Sequence, residues 1–137
     1  MTDRKVELLV PAGSLEVLKV AVDYGADAVY IGGQAYGLRA KADNFSIDEM
    51  KEAAAYAHAK NAKVYVTANI FAHNYDIDGM KTYFEQLKDT GVDAVLVSDP
   101  GIFTLAKETM PDMELHISTQ ANNTNYATFN FWNKMGA

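Results

Sequence analysis

The sequence predicts an α/β fold, a (β/α) TIM-type barrel of which it holds the N-terminal five βα units. Three observations predict it. Short β-branched runs alternate with longer segments of helical apolar spacing in the order βαβαβαβαβα, the pattern of a parallel sheet with helical crossovers. A heptapeptide recurs: Gly25-Ala26-Asp27-Ala28-Val29-Tyr30-Ile31 returns as Gly91-Val92-Asp93-Ala94-Val95-Leu96-Val97, each copy a helix-ending glycine, a turn and a buried strand. Five units in 137 residues is the density of slightly over half a barrel, since a complete one takes about 250 residues. Met135-Gly136-Ala137 begins a third copy, so residues 1–137 are expected to form a single domain that is part of a longer, truncated barrel. An open doubly wound sheet is the competing architecture, but neither strand one nor strand two is followed by its G-x-G-x-x-G phosphate signature.

Taken in order, Val6–Val10 is a first strand and Pro11-Ala12-Gly13 a turn. Ser14 is the N-cap of a helix to about Tyr24, with Leu15, Leu18 and Val22 on one stripe. Gly25 ends it in the left-handed conformation. Ala28–Ile31 is the second strand, followed by Gly32-Gly33 and a long loop. Ser46 and Glu49 form a capping box for a helix to about Lys60, closed by Asn61. Lys63–Ala68 is the third strand, Ile77–Thr90 a helix closed by Gly91, and Ala94–Val97 the fourth strand. Ile102–Met110 is a helix stopped by Pro111, Glu114–Ser118 the fifth strand, and Tyr126–Met135 the last helix. Phe129 and Trp132, three apart on that helix, are expected in the core, and His58 on an alanine-rich helix is expected to face solvent.

Composition narrows the chemistry. Apolar residues make up 49% of the chain, enough to bury a core. The 12 basic and 18 acidic residues leave a net charge of −6, which excludes a whole-surface attraction to nucleic acid or anionic lipid but not a local basic patch. With no cysteine, these residues form no disulfide, thiolate zinc site or cysteine-held iron–sulfur centre. No signal peptide and no apolar run near membrane-spanning length is present, so a soluble cytoplasmic protein without a membrane partner is expected.

Parallel α/β folds gather their working residues at the carboxyl ends of the strands. Strand three alternates Tyr65, Thr67, Asn69 against Val64, Val66, Ala68, and strand five alternates His116, Ser118, Gln120 against Leu115 and Ile117. With the polar set turned inward, Tyr30, Thr67, Asn69, His116, Ser118 and Gln120 converge on one rim. The same pattern also describes a polar barrel core satisfied by its own hydrogen bonds. The loop Gly32 to Phe45 spans 14 residues, where about 2–6 is usual, the length of a lid or binding loop. Its Arg39 can fork onto a carboxylate or phosphate and its Tyr36 or Phe45 can stack on a ring; alternatively Arg39 pairs with a nearby acid in solvent. His73, Asp76, Asp99 and His116 lack any metal-ligand spacing, so no metal site is expected. Ser118 and His116 stand side by side at i, i+2, with no G-x-S-x-G elbow around the serine. Asp99-Pro100-Gly101 reads as a turn with Asp99 capping the next helix, or as a helix N-terminus held near a ligand.

Several stretches together resemble peptidase family U32, the collagenase-like proteins. They are Glu7-Leu8-Leu9-Val10-Pro11-Ala12-Gly13, Tyr30-Ile31-Gly32-Gly33, Arg39-Ala40-Lys41-Ala42-Asp43-Asn44-Phe45, Asp99-Pro100-Gly101, and His116-Ile117-Ser118-Thr119-Gln120-Ala121 with Asn125. The resemblance implies a longer protein whose barrel precedes a region with four cysteines. In some members those cysteines hold an iron–sulfur cluster used to hydroxylate RNA bases or a quinone precursor without molecular oxygen. It therefore implies RNA base hydroxylation of the tRNA uridine type, with the cluster bound outside this chain. A collagenase-like peptidase with a peptide substrate is the alternative, and a non-catalytic substrate-binding or accessory barrel the second. Pattern and resemblance together mark His116, Ser118 and Gln120 as catalytic candidates. They mark Tyr30, Arg39, Asn44, Asn69, Asp99 and Asn125 as substrate-binding candidates. Peptide hydrolysis needs an activated nucleophile or metal-bound water beside an oxyanion site, and no such set is visible. The chain alone is expected to be inactive and to self-associate through unpaired sheet edges.

Overall fold

The computed structural model describes residues 6–37 and 44–137. Strands β1 (Leu9–Pro11), β2 (Ala28–Gly32), β3 (Lys63–Thr67), β4 (Ala94–Val97) and β5 (Glu114–Ile117) form one parallel sheet in the order β1-β2-β3-β4-β5. Helices α1 (Leu15–Asp23), α2 (Ile47–His58), α3 (Ile77–Leu87), α4 (Pro100–Thr109) and α5 (Tyr126–Met135) connect or follow them. Because every strand pairs with its neighbour in sequence and the order never reverses, the architecture is a partial TIM-type barrel wall rather than a doubly wound sheet.

The two faces of the sheet divide by residue parity. Val29, Ile31, Val64, Val66, Val95, Val97 and Leu115 pack against Leu18, Met50, Met80, Phe84, Ile102 and Trp132 of the helices. On the opposite face, Ala28, Tyr65 and Ala94 are buried together with Tyr30 and Leu96 packed against them. The register aligns that inner face in rows: Pro11, Tyr30, Tyr65, Ala94 and Glu114 form one, and Gly32, Thr67, Leu96 and His116 the next towards the carboxyl rim.

Local signals place the helices. The Ser14 hydroxyl accepts from the Val17 amide, and Ser46 and Glu49 close their capping box at 3.2 and 2.8 Å. Gly25 and Gly91 take φ values of +101° and +84°, the left-handed conformation that stops a helix and starts each copy of the repeat.

Several boundaries and one burial assignment differ from the sequence reading, among them the end of α3 at Leu87 rather than Thr90 and of β2 at Gly32 rather than Ile31. β1 begins at Leu9 rather than Val6, because both polar groups of the Leu8 peptide are taken up by the turn that leads into β2. β3 stops at Thr67 and β5 at Ile117, where Ser118 caps the 3-10 turn Thr119–Ala121. α4 starts at Pro100, which supplies the preset φ of a first helical residue. Phe129 is 71% exposed rather than in the core, whereas Trp132 is buried against Phe103 at 5.3 Å. Helix α5 has a packed neighbour on the Trp132 side, and Phe129 instead lines a cleft of about 260 Å³ with Leu115, Ile117 and Trp132.

Candidate functional site

The carboxyl ends of β3, β4 and β5 are tied into one knot of polar groups. The Asn69 amide nitrogen donates to the Ser118 hydroxyl at 3.1 Å, and the Ser98 hydroxyl donates to the Asn69 carbonyl at 3.3 Å. Backbone bonds from Ala68 to Leu96 and from Ser118 to Val97, both 2.8 Å, extend the ladder past the strands. Ser98 and Ser118 are buried polar residues, and the satisfied bonds are what make that burial tolerable.

The long β2–α2 loop is pinned at its neck by a parallel bridge between Gly33 and Phe45 and a 2.9 Å bond from the Phe45 amide to the Gly32 carbonyl. Its first limb turns at Tyr36, a non-glycine residue at φ +62°, whose carbonyl accepts from the Ile70 amide at 3.3 Å. Gly37 packs over Thr67: a Cβ there would stand 3.5 Å from the threonine hydroxyl. Gly32 sits between Asn44 and the same threonine, its missing Cβ 2.8 Å from the Asn44 carbonyl oxygen and 3.7 Å from the Thr67 hydroxyl. Both limbs of the loop thus descend beside Thr67, on the rim itself. Arg39 and Lys41 lie outside the described residues.

One row lower, the Tyr65 hydroxyl donates to Glu7 at 2.9 Å and its ring meets His116 edge-on at 4.8 Å. The His116 imidazole bonds Glu114 at 2.7 Å. Burial, then the hydrogen bond to Glu7 and the negative charges of Glu7 and Glu114, push the Tyr65 hydroxyl well above the ordinary tyrosine range.

These positions sort the sequence-marked residues. Asn69 and Ser118 meet at the rim. His116 and Tyr30 lie on the same inner face, His116 in the Thr67 row and Tyr30 in the Tyr65 row. Gln120 is not on the strand: it is exposed in the Thr119–Ala121 turn, because β5 ends before the alternation reaches it. Asp99 accepts from the Ile102 amide at 2.9 Å and Asn125 from the Thr128 amide at 3.0 Å, so both side chains cap helices. Asn44 stands at the loop neck beside Gly32. Asp76 accepts from the His73 amide at 2.8 Å, and among the described residues no three His, Cys, Asp or Glu side chains group as metal ligands. With no cysteine either, the residues of this chain do not fit an iron–sulfur cluster. Thr67 stands on the inner face where the strand alternation put it, whereas Ser98 and Glu7 belong to the site although the sequence reading assigned them no site role; the contacts that bring them in are a tertiary property.

A consecutive parallel wall with hydroxyl and amide groups knotted at its carboxyl rim defines part of a TIM-type barrel. The chain belongs to peptidase family U32, whose model matches residues 13–137. It is 50% identical over 133 residues to the tRNA hydroxylation protein P1 of Bacillus subtilis, covering 97% of this chain and 32% of that protein. It is 43% identical to the tRNA hydroxylation protein P of Escherichia coli, covering 96% of this chain and 29% of that one. The chain therefore spans about a third of the length of these curated relatives. The solved U32 peptidase Mk0906 shares the fold, with a TM-score of 0.67 at 16% identity over 88% of this chain and 51% of its own. Among the described residues, no helix is long and apolar enough to cross a membrane.

Proposed function

We propose that this chain forms part of the substrate mouth of a protein that takes part in hydroxylating an RNA base, of the tRNA uridine type. The observation that carries it is 50% identity, across 97% of the chain, to a tRNA hydroxylation protein. The rim chemistry agrees: hydroxyls and an amide fixed by mutual bonds present donors and acceptors suited to the edge of a polar ring. The peptidase reading draws no such support, since Ser118 is held by the Asn69 amide and the Gln120 backbone amide rather than by a base. The redox chemistry belongs to an iron–sulfur cluster on cysteines outside these residues, in the cytoplasm where tRNA is found. Arg39, in the sequence between β2 and α2, serves the phosphate or carboxylate of the substrate. Copies of this chain by itself associate through β1 and β5.

The test is nucleoside mass spectrometry of tRNA from cells deleted for the gene that encodes this chain. Loss of a hydroxylated uridine, restored by re-expressing the gene, is expected. An unchanged nucleoside profile overturns the reading.

A further inference from the structure

We infer that Phe71, His73 and Tyr75, in the segment between β3 and α3, form a ledge on which an unpaired RNA base stacks at the mouth; the inference rests on the RNA reading above. Three observations carry it. Ile70 and Ala72 pack against the core while Phe71 and His73 between and after them are exposed, and Tyr75 is exposed in the 3-10 turn that follows, Phe71 by 68% and Tyr75 by 82%. The His73 and Tyr75 rings are already stacked, 5.3 Å between centroids and 18° from parallel, so a further flat ring extends an existing pile. The backbone is fixed, because Ile70 donates to Tyr36, the His73 amide to the Asp76 carboxylate, and the Asp76 amide to the His73 carbonyl at 2.9 Å. A ligand therefore meets a platform whose ordering cost is already met.

Topology separates this patch from the other exposed aromatics. β3 is the middle strand of five, so the segment that follows it is remote from both edges of the wall. Phe129, by contrast, lines the cleft beside the edge strand β5. The ledge opens at the carboxyl rim, joined through Tyr36 to the loop whose sequence carries Arg39 and Lys41. Exposed stacking rings are the grammar of single-stranded RNA recognition, in which each stacked base contributes measurably and without regard to sequence. The capping bond to the His73 amide engages the Asp76 carboxylate, the acid nearest the stack in sequence.

Fluorescence anisotropy with a labelled single-stranded oligouridylate, at one fixed low salt concentration, tests this on the whole chain. The wild type is expected to bind the single strand more tightly than the same oligomer paired with oligoadenylate. Tyr75→Ala and Tyr75→Leu are each expected to weaken binding about fivefold or more, and Tyr75→Phe to retain it. Tyr24→Ala, which removes a tyrosine 89% exposed on α1's C-terminal turn, is expected to change nothing. Wild-type affinity in Tyr75→Ala, or in Tyr75→Leu, overturns the ledge while leaving the RNA reading intact. Failure of the wild-type chain to bind either oligomer overturns both. Because all three rings are exposed, thermal unfolding of the variants should match the wild type, which separates lost binding from lost folding.

Discussion

Asp93 and Val64 grip each other at both ends of one contact. The Asp93 amide donates to the Val64 carbonyl at 2.8 Å while the Asp93 carboxylate accepts from the Val64 amide at 2.7 Å. Asp27 repeats the arrangement on Leu8, at 3.0 and 2.9 Å. The aspartate of each Gly-x-Asp-Ala copy therefore staples the start of its own strand to the start of the strand before it. Asp93 also takes the His58 imidazole at 2.9 Å.

Removing that staple should be expensive for a surface aspartate. Asp93→Ala is expected to lower stability by about 1.5–3 kcal/mol, the range for a hydrogen bond to a charged group. Glu85→Ala, which breaks only the exposed pair with Lys88, should stay within about 0.5 kcal/mol. Equal urea midpoints for the two variants would refute the role given to Asp93.

Asn69 and Ser118 should behave as a coupled pair. Each alanine substitution is expected to cost about 1 kcal/mol, and the double variant less than the sum, with a coupling of about 0.5–1.5 kcal/mol. Strict additivity in the four-variant cycle would mean that the bond does not hold the rim together.

Tyr83 carries a buried hydroxyl with no hydrogen-bond partner among the described residues, set against Gly33 where a Cβ would collide with it. Tyr83→Phe should therefore be neutral or stabilising, by up to about 1 kcal/mol, since it removes an unpaid desolvation. Gly33→Ala should destabilise by about 1–3 kcal/mol through overpacking. The cost should shrink when Tyr83→Phe is present. A melting temperature that falls on Tyr83→Phe would contradict this.

Alkaline pH should weaken the fold. Burial pushes the Tyr83 hydroxyl up, and burial together with Glu7 does the same to Tyr65, from an ordinary value of 10.0. The folded state thus keeps protons that the unfolded state releases, so stability is complete below about pH 10 and declines as pH rises above it. Urea unfolding across that range should show the decline, flatter in the Tyr65→Phe, Tyr83→Phe double variant. An identical slope in that variant would rule these two groups out.

The wall should self-associate. β1 and β5 each pair on one side among the described residues, and Val6, Leu8 and Phe129 are 86, 54 and 71% exposed beside them. Sedimentation velocity should show species above 15.0 kDa that grow with concentration. A monomer at every concentration would count against it.

Much of the wall was legible in the chain. Ser14, the Ser46–Glu49 box, Gly25, Asn61 and Gly91 mark helix ends through bonds or φ values made within a few residues, and such signals survive without a tertiary context. The inward alternation of β3 was legible for the same reason, since parity along a strand is a local property. Gln120 shows where that logic ends: strand parity holds only while the ladder lasts, and Ser118 turns the chain one residue after β5 stops.

By itself, then, the sequence determined the order of elements, their caps and the face each strand turns inward, because these follow from interactions among near neighbours. Only the tertiary structure decided which of the polar residues work together. Asn69 reaches a residue 49 positions away, Tyr65 one 58 away, and the repeat's aspartates strands 19 and 29 residues earlier. Such partners are chosen by register between strands, and register is set by how the whole apolar face packs against its helices rather than by any local run of residues.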